Sequence, residues 1–189
     1  KDINKVKNIL DVLSKEKIDA VIASDFSVII EATKRNIPVN ISTQANVSNI
    51  DSVRFFAQYA DSITLARELD LSQIKEITHI INETNLTGRS GKLLKIETFC
   101  HGALCMAISG RCYLSTHTYN YSANRGACLQ PCRRSYILKD KEEGFEYEID
   151  NQYILSPKDL CTIKFLDKII ESGVSILKIE GRGRSPEYV

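Results

Sequence analysis

Six cysteines carry the most distinctive chemistry in this sequence: Cys100, Cys105, Cys112, Cys128, Cys132 and Cys161. Five crowd into one short stretch, and none precedes Cys100. A secreted disulfide scaffold spreads its cysteines through a small chain, whereas clustered thiols in a reducing compartment bind metal or do chemistry. The spacing Cys105-x6-Cys112-x15-Cys128-x3-Cys132 contains one closely spaced pair of the kind zinc knuckles use. Irregular spacing across a loop also suits a cubane iron–sulfur cluster, which needs four converging thiolates. On spacing alone an iron–sulfur cluster, zinc, and free or nucleophilic thiols all stay open. Cys161 can fold back as a ligand. Cys100, at a strand end beside His101, reads as a packed residue.

The same stretch has a charge anomaly. No Asp or Glu occurs from Phe99 to Lys139, while Arg111, Arg125, Arg133, Arg134 and Lys139 do, interleaved with Tyr113, Tyr119, Tyr121 and Tyr136. Cations interleaved with aromatics can hold phosphates and stack bases. The competing reading is that Glu142, Glu143, Glu146 and Glu148 of the next segment neutralise these arginines.

The elements that must position these groups alternate in period. Val6, Ile9, Leu10 and Leu13 recur at helical spacing. Short apolar runs at 19–23, 38–42, 62–66, 93–99 and 176–179 read as buried strands, with a shorter one at 153–155. Helices are expected over about 27–34, 48–59 and 71–82. Ser48, Ser72 and Ser156 are candidate caps, and a helix is expected to start at Pro157 and run to Gly173. Residues 135–140 and 145–149 flank Glu142-Glu143-Gly144 as a hairpin. Strand–helix alternation with apolar strands implies an α/β fold with a parallel sheet. A complete (β/α) barrel takes about 250 residues, and this chain has 189. The expectation is therefore a TIM-barrel-like sheet, an incomplete barrel lacking its first two βα units. It forms one catalytic domain segment over 1–189, with a Cys-rich loop and hairpin inserted at 100–152.

In such folds the site lies at the carboxyl ends of the strands. The residues there are Ser24 and Asp25; Ser42, Thr43, Gln44 and Asn46; Arg67 and Glu68; His101; Ser156 and Lys158; and Glu180 and Arg182. Any one of them can be a cap or a structural ion pair. As a set they imply a polar pocket, because inward charges are costly unless used. Composition adds exclusions. Hydrophobic residues at 43% and charged residues at 26% rule out a disordered chain. A formal net charge of +1 says nothing about nucleic acid. No apolar run approaches a membrane span and the N-terminus has no signal-peptide pattern, so a cytoplasmic protein is expected.

Several blocks resemble peptidase family U32, the collagenase-like peptidases. They are Glu97-Thr98-Phe99-Cys100-His101-Gly102-Ala103-Leu104-Cys105, Gly110-Arg111-Cys112-Tyr113-Leu114-Ser115, and Asn124-Arg125-Gly126 running on to Cys128 and Gln130-Pro131-Cys132-Arg133. Ser42-Thr43-Gln44-Ala45-Asn46, Ala66-Arg67-Glu68-Leu69, Ser156-Pro157-Lys158-Asp159-Leu160-Cys161 and Lys178-Ile179-Glu180-Gly181-Arg182 extend the likeness over nearly the whole chain. The resemblance implies either a peptidase or, as in other relatives, hydroxylation of RNA bases or ubiquinone precursors without molecular oxygen. It implies a [4Fe–4S] cluster on Cys105, Cys112 and Cys128, with Cys161 or Cys132 as the fourth ligand, and prephenate as a small-molecule donor. The residues themselves argue against a cysteine peptidase. Cys100 and His101 are strand neighbours whose side chains point to opposite faces, and the sequence has neither G-x-S-x-G nor H-E-x-x-H. The expected site is then Glu97, His101, Arg67, Glu180 and Arg182 for catalysis. Gln44, Asn46, Arg125, Arg133, Arg134 and Lys158 are expected to bind substrate, a tRNA or rRNA. A non-catalytic iron–sulfur or RNA-binding subunit is the third reading.

Overall fold

A computed structural model describes residues 2–149, 154–181 and 184–189. The chain divides into two compact units: Lys1–Cys100 with Thr162–Ile179, and His101–Cys161 with Glu180–Val189.

The first unit is the α/β part, and its parallel sheet is that of an incomplete (β/α) barrel. Helix α1 (Asp2–Lys15) leads into strand β1 (Val21–Ala23), then α2 (Phe26–Lys34), β2 (Val39–Ile41), α3 (Ile50–Ala57), β3 (Ser62–Thr64), α4 (Leu71–Glu83) and β4 (Lys95–Gly102). Strands β1, β2, β3 and β4 pair in parallel in that order, with Val21 beside Val39, Ile41 beside Ile63 and Thr64 beside Glu97. The period of two puts Val39, Ile41, Ile63, Leu65 and Ile96 on one face, where they join Ile29, Val53, Ile74 and Ile77 of the helices in one core. Side chains that are 0–2% exposed, such as Ile63 and Ile96, each stabilise the fold by roughly 2 kcal/mol relative to exposure. The other face carries Asn40, Thr64 and Glu97.

Local chemistry sets the helix starts. Asp25 accepts the Ser27 and Val28 amides at 2.8 and 3.2 Å and caps α2. Two of the expected serine caps are displaced by neighbours with better acceptors. Asn49, not Ser48, takes the Ser52 amide at 2.9 Å. Asp70, not Ser72, caps α4 in a reciprocal box with Gln73. Among the described residues no helix is long and apolar enough to cross a membrane.

The second unit departs more from expectation. A 3-10 turn stands at Ile108–Gly110, and helix α5 follows at Leu114–Tyr119. Its sequence, Leu-Ser-Thr-His-Thr-Tyr, is poor in helix formers, so periodicity gave no sign of it. The hairpin forms as expected: β5 (Tyr136–Lys139) pairs antiparallel with β6 (Glu146–Ile149), with Leu138 opposite Tyr147.

The segment after Pro157 corrects the expected long helix. Strand β7 (Leu160–Cys161) lies antiparallel to β4, with Cys161 opposite His101 and Leu160 opposite Gly102. The Thr162 amide and hydroxyl both donate to the Cys100 carbonyl, at 3.1 and 2.8 Å. That tether holds the chain extended, so helix α6 starts only at Leu166 and runs to Glu171. Ser156 is no helix cap; its hydroxyl contacts the Pro157 carbonyl. Of the expected strand at 153–155, Tyr153 lies outside the described residues, and Ile154 and Leu155 form a bend. Strand β8 (Ile176–Glu180) pairs with β4. Gly102 makes room there, since a Cβ on it would stand 2.6 Å from the Glu180 carbonyl oxygen, and its φ of +133° suits glycine alone.

Candidate functional site

Two groups of polar residues stand out, one in each unit. In the first unit, Glu97 of β4 is 6% exposed and fully engaged. Its Oε1 accepts from Lys178 Nζ at 2.6 Å and Thr64 Oγ1 at 2.8 Å, and its Oε2 accepts from Asn40 Nδ2 at 3.0 Å. Three strands and β8 thus contribute to one ionised network. A buried carboxylate survives only when its lone pairs are met this way. Beside it, Phe99 lies under two cations: Arg67 is 5.4 Å and Lys178 5.7 Å from the ring centroid. Gln44 stands in the 3-10 turn after β2, where Ser24 donates to its Oε1 at 3.3 Å. Asn46 closes that turn in the left-handed region at φ 55°. Glu97, Arg67, Gln44 and Asn46 therefore all belong to the sheet or to the turns leaving β2 and β3, as the strand-end argument requires. Lys178 and Phe99 are members that sequence reasoning missed. Period-two alternation on β8, which places Lys178 on the face of Glu180, was the available signal.

Four of the second unit's five cysteines lie in turns and loops. The Ala107 amide donates to Cys105 Sγ at 3.4 Å, the Leu114 amide to Cys112 Sγ at 3.3 Å, and the Gln130 amide to Cys128 Sγ at 3.4 Å. Each sulfur thus receives the amide two residues on. Cys132 shares their field. Burial pushes its thiol up, and the neighbouring Cys105, Cys128 and Cys112 add to that rise against the opposing pull of Arg133. Cys161 lies exposed in β7. All six cysteines are free thiols. Among the described residues no three His, Cys, Asp or Glu side chains are drawn close enough together to hold a metal ion. Thiolates repel one another, so four of them converge only around a cation that neutralises them. The donor set, all sulfur with amides aimed at three of the four, suits an iron–sulfur cluster or a thiolate-bound metal.

The arginines of this unit take different roles. Arg125 and Arg134 are exposed, whereas the expectation of an exposed Arg133 is not met. Its side chain is 7% exposed and ion-paired with Asp159, because an otherwise buried guanidinium must find a carboxylate. Arg134 lies on Tyr119, 4.6 Å from the ring centroid, and donates to its hydroxyl. The hairpin acids make local contacts: Glu146 pairs with Lys139 at 2.8 Å, and the Glu142 and Glu143 amides close a turn on Asp140. His101 Nε2 sits 2.7 Å from the Tyr188 carbonyl, with the two rings 4.7 Å apart. Lys158 is exposed, Glu180 is half-buried, and Arg182 lies outside the described residues. Burial pushes the Cys100 thiol up, and Cys100 Sγ contacts the Lys178 carbonyl at 3.4 Å. Neither a buried protonated thiol nor a histidine committed to a carbonyl has the character of a peptidase dyad.

The family model described as peptidase family U32 matches residues 1–189. A collagenase of Porphyromonas gingivalis (strain W83) is 50% identical over 188 residues, covering 100% of this chain and 45% of that protein. The tRNA hydroxylation protein P1 of Bacillus subtilis is 36% identical, covering 97% of this chain and 43% of its own. A 23S rRNA 5-hydroxycytidine synthase of Escherichia coli is 35% identical, covering 100% and 27%. The chain spans about half the length, or less, of these relatives. No solved structure matches it.

Proposed function

The chain belongs to peptidase family U32, and on that premise we propose that it is part of an RNA-base hydroxylase that needs no molecular oxygen. In this reading the thiolates of Cys105, Cys112 and Cys128, with Cys132 or Cys161, hold a [4Fe–4S] cluster. Such a cluster, when bound, supplies one-electron chemistry.

One observation carries the reading. The second unit has roughly 70 residues, yet among its described residues no large apolar side chain is buried; the buried positions include Ser109, Ser115, Pro131 and Ser156. A unit of that size needs a staple, and natural ones use disulfides or a metal. Its thiols are unpaired and lie close together in the sequence, so a metal or cluster is the staple this sequence can supply.

The chain's own groups supply the rest. Exposed Arg125, Arg134 and Arg111 lie in the acid-free stretch and suit phosphate contacts. The Glu97–Lys178 network fixes the cation pair over Phe99, where a small carboxylate such as prephenate could be held as oxygen source. Support for RNA comes from the relatives named for tRNA hydroxylation and rRNA hydroxycytidine synthesis.

Nucleoside mass spectrometry of tRNA and rRNA from a deletion strain is the test. A hydroxylated nucleoside should vanish, return with the wild-type gene and stay absent with Cys112→Ser. The name of the 50% identical relative favours a peptidase instead. Unchanged nucleosides, together with collagen-peptide cleavage that survives Cys112→Ser, would establish that reading.

A further inference from the structure

Asp159 stands where three cysteine-bearing segments of the second unit meet. One of its oxygens takes the Arg133 guanidinium in an ion pair, and Arg133 directly follows Cys132. The same guanidinium continues through Nη2 to the Leu104 carbonyl at 3.2 Å, the residue before Cys105, and to the Pro157 carbonyl at 3.5 Å. Asp159 itself lies two residues before Cys161. Its other oxygen accepts the Tyr188 hydroxyl at 2.7 Å, with Arg184 Nη2 at 3.7 Å.

A guanidinium is a rigid planar fork, so a carboxylate that fixes one nitrogen also fixes where the others point. The pair therefore sets the Cys132 turn against the Cys105 turn. Cys112 and Cys128 are joined by a different link: the Leu129 amide donates to Ser115 Oγ at 3.1 Å, and Ser115 lies on α5 beside the Cys112 turn. The four thiols thus fall into two independently held pairs.

We infer that Asp159 is the positioning residue of the cysteine centre, holding Cys105 and Cys132 in register through Arg133. The inference rests on reading these thiols as ligands, but its structural content is separable from that reading. Asp159→Asn removes the charge and keeps the side chain's shape. Arg133→Lys keeps a charge and gives up the fork.

The test uses the full-length protein, freed of metal, with each cysteine's alkylation rate read by peptide mass spectrometry. In Asp159→Asn, Cys105 and Cys132 should react about tenfold faster, the factor one charge-assisted hydrogen bond is worth. Cys112 and Cys128 should keep their rates. Ser115→Ala should give the converse pattern. Protein reconstituted with ferrous iron and sulfide should lose its iron to a chelator roughly 10–100-fold faster in Asp159→Asn, as expected for a group that orients ligands. Buried Cys100 reports folding. If it too becomes reactive, Arg133→Lys decides, with Cys105 released while Cys100 stays protected. Equal acceleration of all four thiols in a folded variant, or no change in any, overturns the inference. If the wild type takes up no iron and sulfide, the cluster reading fails, and the alkylation pattern still decides the role of Asp159.

Discussion

The two units are held by opposite means. In the first, Ile63, Leu65, Ile96, Val39 and Val53 are 0–2% exposed and pack as one apolar core. In the second, the most deeply buried side chains are serines, Ser109 and Ser115, and the organising contacts are polar: Arg133 to Asp159, Tyr188 to Asp159, Arg134 to Tyr119. A core of branched apolar side chains is indifferent to redox state, pH and metal. A unit knit by ion pairs and hydrogen bonds, with free thiols among them, is not. The difference predicts that perturbations will separate the two.

The largest expected effect is removal of the proposed metal or cluster. Chelation after reduction should speed hydrogen exchange across 101–149 by well over tenfold while strands β1 to β4 keep their protection, because the ligand stabilises only the state that holds it. Uniform exchange in both units would erase the distinction. In the other direction, Ile63→Ala should cost about 2–5 kcal/mol in denaturant melts and leave the cysteine alkylation rates of the second unit unchanged.

Next is the ionised network. Glu97→Ala strands Lys178, whose side chain is 24% exposed, and should cost about 3 kcal/mol. Glu97→Gln should cost less, since Asn40 and Thr64 keep partners. Asp70→Ala removes the side-chain acceptor of the Ser72 and Gln73 amides, one half of the α4 capping box, and should lower stability by about 1 kcal/mol. The smallest effect concerns pH. Hydrogen bonds from Lys34 and Arg35 hold the Glu31 carboxyl down at about 2. A depressed carboxylate contributes stability above its unfolded value, and that contribution is lost as pH falls through the folded one. Glu31→Gln should therefore lower stability at neutral pH, where that contribution is fully present, and flatten the acid limb of the stability curve between about 4.5 and 2.

The same contrast explains what could be read from sequence. Strands such as Val39–Ile41 and helices such as Leu71–Glu83 declare themselves because burial of an apolar face imposes a period. Helix α5 and strand β7 impose none: Ser115 is the only buried residue of α5, and β7 exists because Thr162 is tied to the Cys100 carbonyl. The cysteines and Glu97 were legible as chemistry by residue type. The burial of Arg133 was not, because its partner Asp159 is distant in sequence and an arginine in an acid-free stretch looks exposed. Lys178, lodged among apolar strand residues, was hidden in the same way.

The most direct test of the central claim, that a thiolate-bound cluster organises the second unit, is iron and acid-labile sulfide analysis of the full-length protein purified without oxygen. The account predicts about four of each per chain, falling to a small fraction in Cys105→Ser, Cys112→Ser and Cys128→Ser. Protein without iron and sulfide whose residues 101–149 are nonetheless as protected from exchange as its β-strands would contradict it.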